Sequence, residues 1–156
     1  DDWFSDSDSL ETVYQTYERS GCLMTYGNYV RWPKGIPGNC QRYSEAIIRD
    51  ATYRENEWMA SALRTFKYVL WKHIDRNDLK DQSGKFYEMA WDFAYQFPML
   101  EMAGDRQECI EKQIYIYNDS HSNNDHNKDR HRQLKTDREI RARKKYKYLE
   151  LARKEG

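Results

Sequence analysis

The sequence predicts an all-α domain of about five to seven helices around one aromatic-rich core. Apolar residues recur at three- and four-residue spacings along most of the chain, and no stretch reads as a convincing strand. Aromatic side chains dominate the apolar set, with 13 Tyr, 5 Trp and 5 Phe, which favours a core built from large amphipathic rings. A length of 156 residues suits one domain spanning 1–156.

The first helix is expected over Ser7 to Tyr17, with Leu10, Val13, Tyr14 and Tyr17 on one face and an end near Gly21. From Cys22 to Asn39, Gly27, Pro33, Gly35, Pro37 and Gly38 predict a structured loop carrying Tyr26, Tyr29 and Trp32. A second helix is expected over Cys40 to Thr52. A longer one, capped by Asn56, would carry Trp58, Met59, Ala62, Leu63, Phe66, Val69, Leu70 and Ile74 as its apolar stripe. Turn clusters at 75–78 and 81–84 precede a helix with Phe86, Met89, Ala90, Phe93 and Phe97 that stops at Pro98. Another begins at Gly104-Asp105 and passes Cys109, Ile110, Ile114 and Tyr117. Residues 118–132 read as an exposed polar loop, and a basic helix near 135–154 closes the chain.

Charge excludes little by its total, since 26 basic residues balance 26 acidic ones. Its distribution is uneven: residues 1–12 hold five acids and no base, whereas 130–156 hold eleven Lys or Arg against four acids. The basic end interleaves Lys and Arg with Tyr146 and Tyr148, as single-strand nucleic-acid binders do, but a solvated amphipathic helix explains the same residues, and no nucleic-acid partner is expected. No run approaches the roughly 20 apolar residues of a membrane span, so no membrane partner is expected either. A start at Asp1-Asp2-Trp3-Phe4 is the expected mark of a cleaved secretory signal, and Asn118-Asp119-Ser120 is a glycosylation sequon.

Candidate chemistry is sparse. His121, His126 and His131 recur every five residues, a spacing that does not share a helix face, and no metal site is expected. His73 reads as a satisfied core or boundary residue. Cys22, Cys40 and Cys109 permit one disulfide and leave one thiol over. None of them stands in a recognisable nucleophile motif, Asp78 and Asp81 fall in turns, and the glycines match no phosphate loop. A non-catalytic protein without a cofactor is the expectation.

Several motifs, in order, resemble the amino-terminal domain of the D-seven salivary proteins of blood-feeding flies, a branch of the odorant-binding superfamily. They are Thr16-Tyr17-Glu18-Arg19 ahead of Cys22, Arg31-Trp32-Pro33-Lys34 ahead of Cys40-Gln41-Arg42-Tyr43-Ser44, Glu108-Cys109, Tyr117 to Asp129, and Arg143-Lys144-Lys145-Tyr146-Lys147-Tyr148-Leu149-Glu150-Leu151-Ala152. Ser44 and Ala152 stand where the family has cysteines, and Glu45 where its thromboxane binders have Tyr.

The resemblance implies a secreted, salivary, odorant-binding-like monomer that scavenges small host mediators. Anionic lipids such as cysteinyl leukotrienes come first. The alternatives are biogenic amines, or inhibition of a host haemostatic or immune protein without an open cavity. It implies a pocket formed by Trp32, Tyr43, Glu45, Phe66 and Tyr148, with Lys144 or Lys145 facing an anionic head group. It also leaves Cys40–Cys109 as the expected disulfide, which by closing about 70 residues would contribute roughly 4 kcal/mol in the chain-entropy view.

Overall fold

Residues Met24–Trp32 and Gln107–Asn118 run side by side as parallel strands, and everything else is arranged about them. The computed structural model describes residues 2–120 and 129–150. In chain order these form β1 (Trp3–Phe4), α1 (Ser9–Ser20), β2 (Met24–Trp32), β3 (Ile36–Pro37), α2 (Glu45–Arg49), β4 (Thr65–Phe66), α3 (Tyr68–Lys72), α4 (Trp91–Ala103), β5 (Gln107–Asn118) and α5 (Arg130–Arg141). The five-stranded sheet has the order β1-β5-β2-β3, with β4 added beside the start of β2. Only β2 and β5 are parallel; the other pairs are antiparallel.

This mixed α/β architecture replaces the all-α, odorant-binding-like fold. The stretch 22–39 is not a loop, because its residues include a nine-residue strand. Gly27 lies inside that strand, where a Cβ would sit 3.4 Å from the Leu63 backbone nitrogen and 3.5 Å from the Ile110 carbonyl. It marks a close approach of backbones rather than a turn. The stretch expected to be helical through Ile114 is β5, whose register against β2 shifts between Gly27 and Tyr29. Ile110 and Ile114 are both buried, because residues four apart share one face of a strand just as they do of a helix.

The other helices are also redrawn. The one expected over 40–52 shrinks to α2, and the long one after Asn56 breaks into an irregular segment, β4 and α3. Pro98 does not end α4, which continues to Ala103. Loss of the proline amide removes one helical hydrogen bond, and burial of Phe97, Met99 and Leu100 on both sides of it outweighs that loss. The closing helix stops at Arg141, after which residues up to 150 run without regular structure across α4. Residues 151–154 lie outside the described residues.

The aromatic core is present. Tyr26, Tyr43, Tyr53 and Phe97 are fully buried among Leu23, Met24, Leu70, Leu100 and Ile140. Tyr43 meets Tyr26 and Tyr53 edge-on at 5.9 and 5.0 Å. Each buried hydroxyl is satisfied: Tyr26 accepts from the Tyr43 amide, Tyr43 from the Met59 amide, and Tyr53 from Gln107 Nε2. Beside Phe97, the buried Arg54 guanidinium grips Glu101 at 2.5 and 2.9 Å and donates to the Ile140 carbonyl. A smaller cluster of Val13, Ile110 and Ile114 seats α1 on β5.

Candidate functional site

An open cleft of about 830 Å³ lies between β4–α3 and the start of α4. Helical spacing assembles it. Tyr68, Trp71 and Lys72 stand at i, i+3 and i+4 of α3, and Trp91 and Tyr95 at i and i+4 of α4, so each set shares one face. Phe66 on β4 completes a row of rings. It lies 6.5 Å from Trp71 at 18°, Trp71 lies 6.0 Å from Tyr95, and Tyr95 lies 5.8 Å from Trp91. The rings remain accessible, with Trp91 53% and Tyr68 69% exposed. Such a contiguous aromatic surface is unusual unless something covers it.

The ionisable groups of the cleft are one-sided. Lys72 and Arg76 line it, no carboxylate does, and among the described residues neither cation joins an ion pair. The far wall, carrying Leu79, Phe86 and Tyr87, is held from behind by Arg143. That guanidinium donates to the carbonyls of Asn77 and Lys80, to Asp78 at 2.9 Å and to the Tyr87 hydroxyl. Burial, reinforced by Asp78, pushes the neighbouring Tyr146 phenol up to about 12. At the other end, Arg64 and Asp92 pair at 2.8 Å, next to Phe66 and Trp91.

The residues expected to form one pocket are dispersed. Trp32 lies at the exposed end of β2 against Trp3, at 5.9 Å. Tyr43 is in the core. Glu45 and Tyr148 both line a separate groove of about 890 Å³ that also includes Gly104. Lys145 is tied to Glu55 at 2.7 Å, and Lys144 points away into solvent. Only Phe66 belongs to the aromatic cleft. The sulfurs of Cys40 and Cys109 approach to 3.8 Å as free thiols, so the expected bridge is positioned but not closed.

His73 is exposed, its Nδ1 2.8 Å from the Val69 carbonyl, rather than a core or boundary group. His121 and His126 lie outside the described residues, and no cluster of possible metal ligands occurs among the described ones.

Sequence reasoning passed over Tyr68, Trp71, Lys72, Arg76, Trp91 and Tyr95. A usable sign was there. Tyr68 and Trp71 fall off the apolar stripe drawn through Phe66, Val69, Leu70 and Ile74, which sets two large rings beside Lys72 on the water side. Comparison with known proteins finds no matching family model, no matching curated protein and no matching solved structure.

Proposed function

We propose that the chain binds, without catalysis, a small amphipathic anion whose apolar part lies on the rings of the aromatic cleft. The observation that carries this reading is the coincidence of accessible rings with Lys72 and Arg76, neither of them in an ion pair among the described residues, in a cleft whose described lining includes no carboxylate. Its volume lies within the roughly 300–1,000 Å³ range of small-molecule sites. The rings supply apolar contact, and the cations orient a carboxylate or sulfonate. Anionic lipids of the leukotriene kind meet both requirements. Biogenic amines do not, because two cations oppose an ammonium group.

Tryptophan-fluorescence titration with arachidonate and its methyl ester tests the reading. The acid is expected to bind more tightly than the ester. K72Q/R76Q should weaken the acid about tenfold or more, a change of about 1.4 kcal/mol, and leave the ester unchanged. Equal affinity for acid and ester, or binding indifferent to Trp71→Ala, overturns it. A second reading follows from the Arg64–Asp92 pair, which offers paired donors and acceptors at the end of the ring row. It is a site for a neutral polyhydroxylated ligand, and a soluble oligosaccharide that quenches fluorescence where arachidonate does not would favour it.

A further inference from the structure

Away from the cleft, tertiary structure builds one cluster of reactive side chains. Cys40 and Cys109, 69 positions apart, bring their sulfurs to 3.8 Å, and both are free thiols. Cys109 is held inside β5, in register with Tyr26 of β2. Cys40 lies in residues 38–44, which join β3 to α2 without regular structure. The movement that would bring the sulfurs to about 2.05 Å therefore falls on a segment with no ladder to break. The pair is also within reach of solvent, since Cys109 is only partly buried and lines a surface groove with Arg42 and Glu108.

We propose that Cys40 and Cys109 are a dithiol site for hydroperoxides, closing to a reversible disulfide that pins residues 38–44 against β5. Either sulfur can be the donor in the 3.8 Å contact, so the pair shares a proton and either member can serve as the attacking thiolate. Cys109 is the one that the groove exposes, and Cys40 is buried beside it.

One thiolate of the pair attacks one peroxide oxygen. The O–O bond breaks, that sulfur becomes a sulfenic acid, and the departing hydroxide takes a proton from solvent and leaves as water. The second sulfur then attacks the first, the S–O bond breaks, and a second water leaves with the second thiol's proton. In sum, two thiols and one hydrogen peroxide give one disulfide and two waters. A small reducing thiol reverses the step by exchange. Arg42 lies within the pinned segment and Glu45 directly follows it, and both line the groove that Tyr148 shares, so the oxidation state is read out there.

The test is stoichiometric hydrogen peroxide on the wild-type chain, followed by intact mass and peptide mapping. The expected result is loss of two hydrogens, one cross-linked peptide containing Cys40 and Cys109, and full recovery with dithiothreitol. Cys22, which is 1% exposed, should still be alkylated after denaturation. Dimedone should trap the sulfenic acid in at least one of Cys109→Ser and Cys40→Ser, since neither variant retains the resolving sulfur. Three thiols that remain titratable under denaturing conditions after the peroxide treatment, instead of one, overturn the proposal, as does a cross-link that includes Cys22. The wild-type mapping decides the matter even if a serine variant fails to fold.

Discussion

Arg54 and Glu101 form the most demanding pair in the molecule, because both side chains are essentially out of water, at 3% and 0% exposure. Two parallel hydrogen bonds, a further donation to the Ile140 carbonyl, and the Tyr146 amide on the second carboxylate oxygen satisfy nearly every polar group involved. Removal of one charge strands the other. Glu101→Gln is therefore expected to cost about 3–5 kcal/mol, while Arg54→Met with Glu101→Leu together cost much less; urea midpoints of the three variants check this.

The tyrosines make a prediction of a different kind. Burial raises the phenols of Tyr26 and Tyr53, and holds Tyr115 and Tyr146 at about 12. Between pH 10 and about 12 the folded chain keeps protons that the unfolded chain gives up. Stability from these groups is thus intact below pH 10 and is lost as pH rises through that window. Absorbance titration should show the exposed tyrosines ionising first, with Tyr26 and Tyr53 following only as the circular dichroism signal collapses. Ionisation of all 13 tyrosines in a single early step would contradict this.

Tight contacts between elements can be tested just as directly. Gly38 lies flat beneath the Tyr29 ring, where a Cβ would come within 2.5 Å of ring carbon. Gly38→Ala must displace that ring from its packing against Tyr117, 5.7 Å away. A loss of about 1–3 kcal/mol is expected, measured as a lower melting temperature, with Gly21→Ala as a comparison that meets no neighbour and bears only the strain of φ +63°.

Which elements could be read from sequence follows from where their partners lie. The helix α1 was legible because it depends on itself: amphipathic spacing around Val13 and a left-handed Gly21 cap. The segment after Asn56 was not, because distant groups claim it. Trp58 is wedged between Phe93 and Phe97, Arg64 is taken by Asp92, and the Thr65 hydroxyl meets that of Thr25 at 2.6 Å. Such contacts outweigh helix propensity, and they also leave the Tyr68–Trp71 face free to become a cleft wall. Phe66, apolar in either reading, is the one residue shared by the expected pocket and the aromatic cleft. Lys72 and Arg76 were not legible, since what distinguishes them is that the cleft lining, assembled from distant segments, includes no carboxylate.

The chain end knits the molecule together. Arg143, Tyr146 and Leu149 fasten the segment after α5 across the cleft's back wall and α4, the last through its amide to the Met102 carbonyl. Arg143→Met should therefore do two things that a surface change would not. It should lower stability by about 1.5–3 kcal/mol, the range for hydrogen bonds to charged groups, and it should weaken arachidonate binding without touching the ligand. Calorimetry on the variant separates these effects. Unchanged affinity would show that the wall keeps its place without its tie.

The parallel pairing of β2 with β5 has a consequence in time as well as in space. On one side Met24 pairs with Phe66 of β4, but its neighbour on the other side comes only at Gln107, and among the described residues β1 in turn has β5 as its ladder partner. While the chain is being made, neither strand near its start can complete its ladder until the last strand has left the ribosome, and β2 waits with Tyr26, Tyr29, Val30 and Trp32 along an open edge. Contacts so distant in sequence form slowly, and an edge of that composition invites pairing with other chains. The growing polypeptide therefore passes through its most vulnerable stage just before it becomes stable, and a holding chaperone would have most to protect in the interval between the synthesis of β2 and that of β5.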